Sequence, residues 1–319
     1  LTPTLLTRQG FLMQADWTHR LPLGEYNVSV SGLYQLDPSA FAGKPGDRDW
    51  RGAIQTTGEF VPFEDWTTGW SYTAFSDTAY LPDYGYATDY TINEIYATYL
   101  TRDTYFDIRA RQYLYLGDDT LLHQLRQAAT LPDAEAVQYV NLDDYGQLRF
   151  SANVENIYRA MDAGPVFFNG VPYIFGVEEQ KIHGAFEASW QRQLVLPAGV
   201  LATPYLGLRV DAGYYDGASA LLAGPISLFE ATPIAAIDFR WPLVANAGYD
   251  SHLFEPVAQV VYRGSSTTLA GITNDNAQSF VFDDTLLFSY DRFSGKDRQE
   301  TGFRANFGGR YLANFDDGS

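Results

Sequence analysis

The chain has 319 residues, a formal net charge of -18 and a sequence pI of about 4.4. That acidity excludes nucleic acid as a partner, because phosphate binding needs a basic face, and the absence of cysteine excludes disulfides and thiol chemistry. No run of about 18 apolar residues occurs, so no helical membrane span is expected.

The 23 Tyr, 21 Phe and 28 Gly, with only 2 Met, favour strands and turns over helices. Mean hydropathy is -0.21. A strand with one apolar and one polar face also averages to such a value, since the faces cancel.

The first strand-like segment is Phe11 to Trp17. From Tyr26 to Asp37, side chains alternate. Tyr26, Val28, Val30, Tyr34 and Leu36 share one face, and Asn27, Ser29, Ser31, Gln35 and Asp37 share the other, with Leu33 the exception. Next, Trp50, Ile54 and Phe60 oppose Arg51, Gln55, Thr57 and Glu59. Phe63-Glu64-Asp65 reads as a turn, after which Trp66, Trp70 and Tyr72 oppose Thr67, Ser71 and Thr73. After the short connection Thr101 to Thr104, Phe106, Ile108, Ala110 and Leu114 oppose Asp107, Arg109 and Arg111.

Gly117 to Tyr145 reads as a long connection. Within it a short helix is expected over Asp118 to Gln127, capped by Asp118 or Thr120 and ended by Pro132. Alternation returns at Leu148, Phe150, Ala152 and Val154, at Leu206, Leu208, Val210 and Ala212, and at Phe303, Ala305, Phe307 and Tyr311. Met161 to Gln180, Gly213 to Thr232 and Gly264 to Phe282 read as further long connections. The chain stops at the turn signal Asp316-Asp317-Gly318-Ser319 and does not begin with Met, so both ends look cut and the sequence reads as part of a longer protein.

About 14 strands are expected, several of about 11 to 16 residues, against about 5 to 6 in an ordinary sheet and about 9 to 11 for a tilted membrane crossing. Trp50, Trp66, Tyr99, Tyr105, Trp190, Tyr205, Trp241 and Tyr311 fall near expected strand ends, as interfacial girdles do. Short connections alternate with long ones, the pattern of periplasmic turns and external loops. The fold class expected is all-β, an antiparallel transmembrane β-barrel, with residues 1–319 part of one barrel domain.

Signals of enzymatic chemistry are weak. His19, His123, His183 and His252 lack metal-ligand spacing and read as loop or interface residues. Asp143-Asp144, Glu178-Glu179 and Asp283-Asp284 are sequence neighbours, whose side chains diverge in an extended chain. No catalytic residue, cofactor or metal is expected.

One stretch resembles a known family. Asn274-Asp275-Asn276-Ala277-Gln278-Ser279 and Phe282-Asp283-Asp284, then Asp291-Arg292-Phe293-Ser294-Gly295-Lys296-Asp297-Arg298, are similar to a stretch of LptD barrels. Tyr34 to Asp37 with Asp49-Trp50-Arg51-Gly52, and Ala188 to Arg192 with Thr203-Pro204-Tyr205 and Leu208 to Asp211, resemble the same family in the same order. The resemblance implies an outer-membrane protein that places lipopolysaccharide in the outer leaflet. It implies an LptE-like lipoprotein plugging the lumen, an LptA-like periplasmic bridge reaching the barrel through a jellyroll, and contact with membrane lipids. The family's jellyroll, gate strands and disulfide cysteines have no counterpart here, so these residues would form barrel wall and loops.

Asp291, Phe293, Ser294, Gly295, Asp297 and Arg298 are the motif residues with a candidate role. Gly295 would permit a bend, and Asp297 and Arg298 would fix the loop against the lumen or plug through charge-assisted bonds. The motif then either handles lipid or only holds the loop. Two other classes stay open on the residues alone. One is a porin or other channel barrel. The other is a soluble carbohydrate-binding or hydrolytic β protein, whose aromatics would line a groove.

Overall fold

The computed structural model describes residues 1–118, 120–164, 166–168, 171–173, 176–216, 225–247, 250–264, 275, 286–293 and 295–315. The early strand segments are β1 (Thr2–Leu6), β2 (Gly10–Leu21), β3 (Gly24–Tyr34), β4 (Trp50–Phe60), β5 (Trp66–Phe75), β6 (Tyr90–Leu100), β7 (Thr104–Tyr115), β8 (Ala129–Asn141) and β9 (Gln147–Arg159). They are followed by β10 (Val166–Phe168), β11 (Val171–Tyr173), β12 (Glu179–Gln191), β13 (Leu194–Val195), β14 (Leu201–Tyr215), β15 (Ile226–Arg240), β16 (Leu243–Ala247), β17 (Asp250–Arg263) and β18 (Gly302–Asn314). Two short helices, α1 (Tyr80–Asp83) and α2 (Leu121–Arg126), lie in connections. Among the described residues no helix is long and apolar enough to cross a membrane.

β10 and β11 form a separate hairpin, and the other sixteen segments form one sheet. Its order is β1 to β9, then β12, β14, β15 and β17, with β18 also on β17. Two of the sixteen are continuations. Trp241 donates its backbone N–H to Pro256 in the register that puts both β15 and β16 on β17. Arg192 likewise donates to Pro204, in line with β13 on β14. Fourteen strands remain, a number close to the one expected although β1 and β8 were not among the expected strands.

The chain divides into two compact units. One comprises residues 1–136, 154–182 and 215–225, the other residues 137–153, 183–214 and 226–319.

In the first unit, β2 to β7 pair antiparallel through uninterrupted registers. The burial pattern inverts that of a soluble sheet. Trp50 is 69 % exposed and Ile54 41 %, while their neighbour Arg51 is 2 % exposed. Residues 76–89, which carry α1, account for this. Tyr80 and Leu81 pack on Leu12, Leu33, Ala53 and Leu116 in the largest buried apolar cluster described. Leu33, the one apolar residue on the polar face of its strand, belongs to that cluster. Burying these side chains contributes about 1.5–3 kcal/mol each. The sheet's other face keeps its Trp, Tyr, Ile and Val exposed, which a water-facing surface does not favour.

In the second unit, β17 and β18 pair over their whole lengths, and β15 with β16 covers the other edge of β17. Gln259, Arg263 and Asn306 are buried, while Tyr262, Phe303, Phe307 and Tyr311 are at least half exposed. Gly146, with φ +99°, ends the turn between β8 and β9. An added Cβ there would land on the carbonyl oxygen of Gln191. Gly146→Ala therefore combines left-handed strain with a backbone clash and costs about 1–3 kcal/mol. A urea midpoint equal to that of the unmodified protein would contradict this.

Several expected boundaries move. β1 has no counterpart in the expected strands. Gly117 to Tyr145 is not one loop, because β8 lies inside it and Pro132 sits in that strand instead of ending a helix. α2 ends at Arg126, and its N-cap Thr120 makes no side-chain cap bond. Met161 to Gln180 contains the β10–β11 hairpin, and β14 and β15 run into the expected loop from Gly213 to Thr232. In each case the polar and proline residues that suggested a loop sit in strand, where neighbouring strands satisfy the backbone. The turn expected at Asp316 to Ser319 lies outside the described residues.

Trp50, Trp66, Tyr99, Tyr105 and Trp190 do lie within a residue of their strand ends. Trp66 packs on Tyr99 and Phe106, with centroids 5.2 and 6.2 Å away. Trp190 and Trp241 donate their indole N–H groups to the carbonyls of Tyr145 and Ala198. Tyr205 differs: it is 7 % exposed, and its hydroxyl lies 2.9 Å from a Glu187 carboxylate oxygen. It shares the covered face of β14 with Arg209 and Asp211 and so does not belong to an exposed girdle.

Candidate functional site: the polar inner face

In each unit the buried face of the sheet carries paired charges, and a segment from a long connection is anchored to them. In the first unit the anchor is Arg51 on β4. Its Nε and Nη2 donate to the two carboxylate oxygens of Asp77 at 3.0 and 2.7 Å, and Nη2 also reaches Asp83 at 2.8 Å. The guanidinium lies over the rings of Phe41, Tyr80 and Tyr84. Tyr80 donates to the Ser31 hydroxyl at 2.8 Å, and burial pushes its phenol up to about 12. A second cluster lies on β6 and β7, where Arg109 and Arg111 both bond Glu94 and Arg109 also bonds Asp107.

In the second unit the anchor is built from β12 and β14. Arg209 donates to Asp211 at 2.9 and 2.7 Å. His183 lies between two carboxylates, Nε2 being 3.0 Å from Asp211 and Nδ1 3.0 Å from Asp297. Gln299 donates to Asp211 at 2.9 Å and accepts from Arg263 at 2.7 Å.

The motif residues are placed as follows. Asp291 is half-buried, accepts the backbone N–H groups of Phe293 and Glu300, and lies 3.9 Å from Arg263. Burial raises its carboxyl above the ordinary range, and Arg263 pulls it back. Phe293, Gly295 and Arg298 are half-buried. Asp297 is buried, and besides His183 it accepts the backbone N–H of Asp275 at 2.8 Å. The Nε of Arg298 has no hydrogen-bond partner among the described residues, so the charge-assisted contacts seen here run through Arg209, Arg263, Arg292 and Arg304. Ser294 lies outside the described residues, as do Asn274 and residues 276–285 of the same motif.

His183 was missed by sequence reasoning. Read singly, a histidine is a loop or interface residue, but its even spacing from Lys181 and Ala185 put it on a buried strand face. Among the described residues no group of three or more His, Asp or Glu side chains is arranged to hold a metal ion.

A sheet with paired charges on its covered face and Trp, Phe, Tyr and Ile on its bare face is built for hydrocarbon outside and polar matter inside. Comparison with known families agrees. The family model LptD, LPS transport system D, matches residues 49–319. The chain belongs to the LptD family.

No curated relative matches the chain. The matched range holds both anchors, from Arg51 to Asp297. An LptD chain is an outer-membrane protein of lipopolysaccharide transport and assembly, and the all-β sheet described here is the form of wall that such a protein needs. That identity favours transport of a lipid over the passive channel and the soluble carbohydrate-binding protein that the alternation alone left open.

Proposed function

We propose that residues 1–319 are wall and loops of one outer-membrane β-barrel domain that inserts lipopolysaccharide into the outer leaflet. The observation that carries this is the inverted burial on a sheet of the LptD family: Arg51 2 % exposed beside Trp50 at 69 %. In this reading the exposed apolar face meets membrane lipid, and the paired charges face the lumen. In the first unit the connections that carry α1 and α2 leave one end of the strands, and the short turns at 61–65 and 101–103 leave the other. Long connections at the external side and short ones at the periplasmic side fit a bacterial barrel.

The partners that go with this role are lipopolysaccharide itself, an LptE-like lipoprotein in the lumen and an LptA-like bridge that reaches the barrel through a jellyroll elsewhere in the protein. Depleting the full-length protein from cells should leave newly made lipopolysaccharide in the inner membrane and periplasm while other outer-membrane proteins still assemble. Normal surface display of lipopolysaccharide after depletion would reject the role. The motif loop is tested separately by a photoreactive side chain at Phe293. Crosslinks to lipopolysaccharide make it a lipid-handling element, and crosslinks to the plug alone make it a holding element.

A further inference from the structure

Residues 286–293 and 295–300 touch five strands of the second unit. The Phe288 carbonyl accepts from Gln259 on β17 at 2.7 Å, and the Ser289 carbonyl accepts from Arg304 on β18. Tyr290 donates to Asp238 on β15 at 2.7 Å and stacks on Tyr205 of β14 with centroids 4.1 Å apart. The Lys296 carbonyl accepts from Arg209 on β14 at 2.8 Å, and Asp297 meets His183 on β12. Hydrogen bonds, several of them charge-assisted, and a ring contact hold the segment, with partners spread over five strands.

The charge state of the central contact follows from counting hydrogens. A neutral imidazole has one N–H and one lone pair, so it can donate from only one nitrogen. Both nitrogens of His183 face carboxylate oxygens. Asp211 already accepts two bonds from Arg209 and one from Gln299, and the second oxygen of Asp297 accepts the Asp275 N–H. Asp211 is thus filled as an acceptor and Asp297 is engaged at both oxygens, which places the shared proton on the ring. Nearby charged groups include Arg209 on β14 and, one hydrogen bond further out through Gln299, Arg263 on β17 with Asp291 beside it.

We propose that residues 286–293 and 295–300 form a brace on the covered face of this unit's sheet, locked by a His183 imidazolium held between Asp211 and Asp297. The brace ties β12, β14, β15, β17 and β18 into one arc. Shear or separation of these strands must first break it, so any opening of the sheet is directed elsewhere. This goes beyond the transport reading and does not depend on it.

The test uses the full-length protein in detergent micelles. Asp297→Ala should speed amide exchange of residues 286–293 and 295–300 about tenfold or more, the change expected from losing one charge-assisted bond. Residues 76–89, anchored on Arg51, should exchange as before. Asp297→Asn serves if the alanine variant does not reach the folded, heat-modifiable form. Nitrogen-15 spectra of histidine-labelled unmodified protein, with His183 assigned by His183→Gln, need no brace variant. At about pH 8, where a free imidazole is neutral, both ring nitrogens should show the protonated signature. Unchanged exchange in 286–293 and 295–300 would overturn the brace, and a single protonated nitrogen would overturn the lock.

Discussion

Arg51→Ala is expected to lower the stability of the folded protein by about 3–5 kcal/mol, the loss typical when one partner of a buried ion pair is removed. The side chains of Arg51 and Asp77 are 0 % and 1 % exposed. Losing the guanidinium leaves the Asp77 carboxylate buried without its two strongest donors and removes the cation that Phe41, Tyr80 and Tyr84 surround. Residues 76–89 would then keep only the Ser76–Gly52 bonds to β4, and the cluster of Leu12, Leu33 and Leu81 would loosen. Arg51→Lys should recover only part of the loss, because an ammonium cannot form the paired contact with both Asp77 oxygens. Replacing Arg51 and Asp77 together with apolar residues should cost less than Arg51→Ala alone, since no charge is then stranded. Urea titrations of the full-length protein in detergent would measure all three. A loss below about 1 kcal/mol for Arg51→Ala, the range of an exposed pair, would show that the pair is not buried in the working protein.

The second large effect separates a membrane wall from a soluble sheet. Phe307 and Phe303 lie on the same face of β18 and are similarly exposed, at 76 % and 73 %. Phe307 is near the middle of the strand, and Phe303 is its second residue. In a bilayer, Phe307→Arg should cost about 2–4 kcal/mol and Phe303→Arg about 0–1 kcal/mol, because the penalty for a lipid-facing cation depends on depth. In water both exposed substitutions would stay within about 0.5 kcal/mol. Unfolding titrations in lipid vesicles give the two values, and equal small losses would reject the hydrocarbon environment.

Much of this was legible in the residues because strand alternation has a period of two, and two carries its own bookkeeping. Arg51, Asp107, Arg209 and Asp211 fall on one parity of their strands, and Ile54, Ile108, Leu206 and Leu208 on the other. The count of about 14 strands followed from the same pattern. Segments where the rule is broken by polar residues or proline were read as loops, and β8 with its Pro132 is the clearest loss. Short strands such as β1, and short hairpins such as β10–β11, carry too few residues for a period to register.

The sequence by itself determined which side chains share a face, how long the strands are and which family the motif resembles, since these depend only on spacing and residue type. Which face is covered was decided by the tertiary structure. Alternation is symmetric, and only the packing of residues 76–89 in one unit and of 286–293 and 295–300 in the other against the charged side shows that the polar stripe is the covered one. The pairing of His183 with Asp297, 114 residues away, was likewise beyond sequence reading. A long-range contact between charged groups leaves no periodic trace, and it exists only once strand register and a returning loop bring the two together.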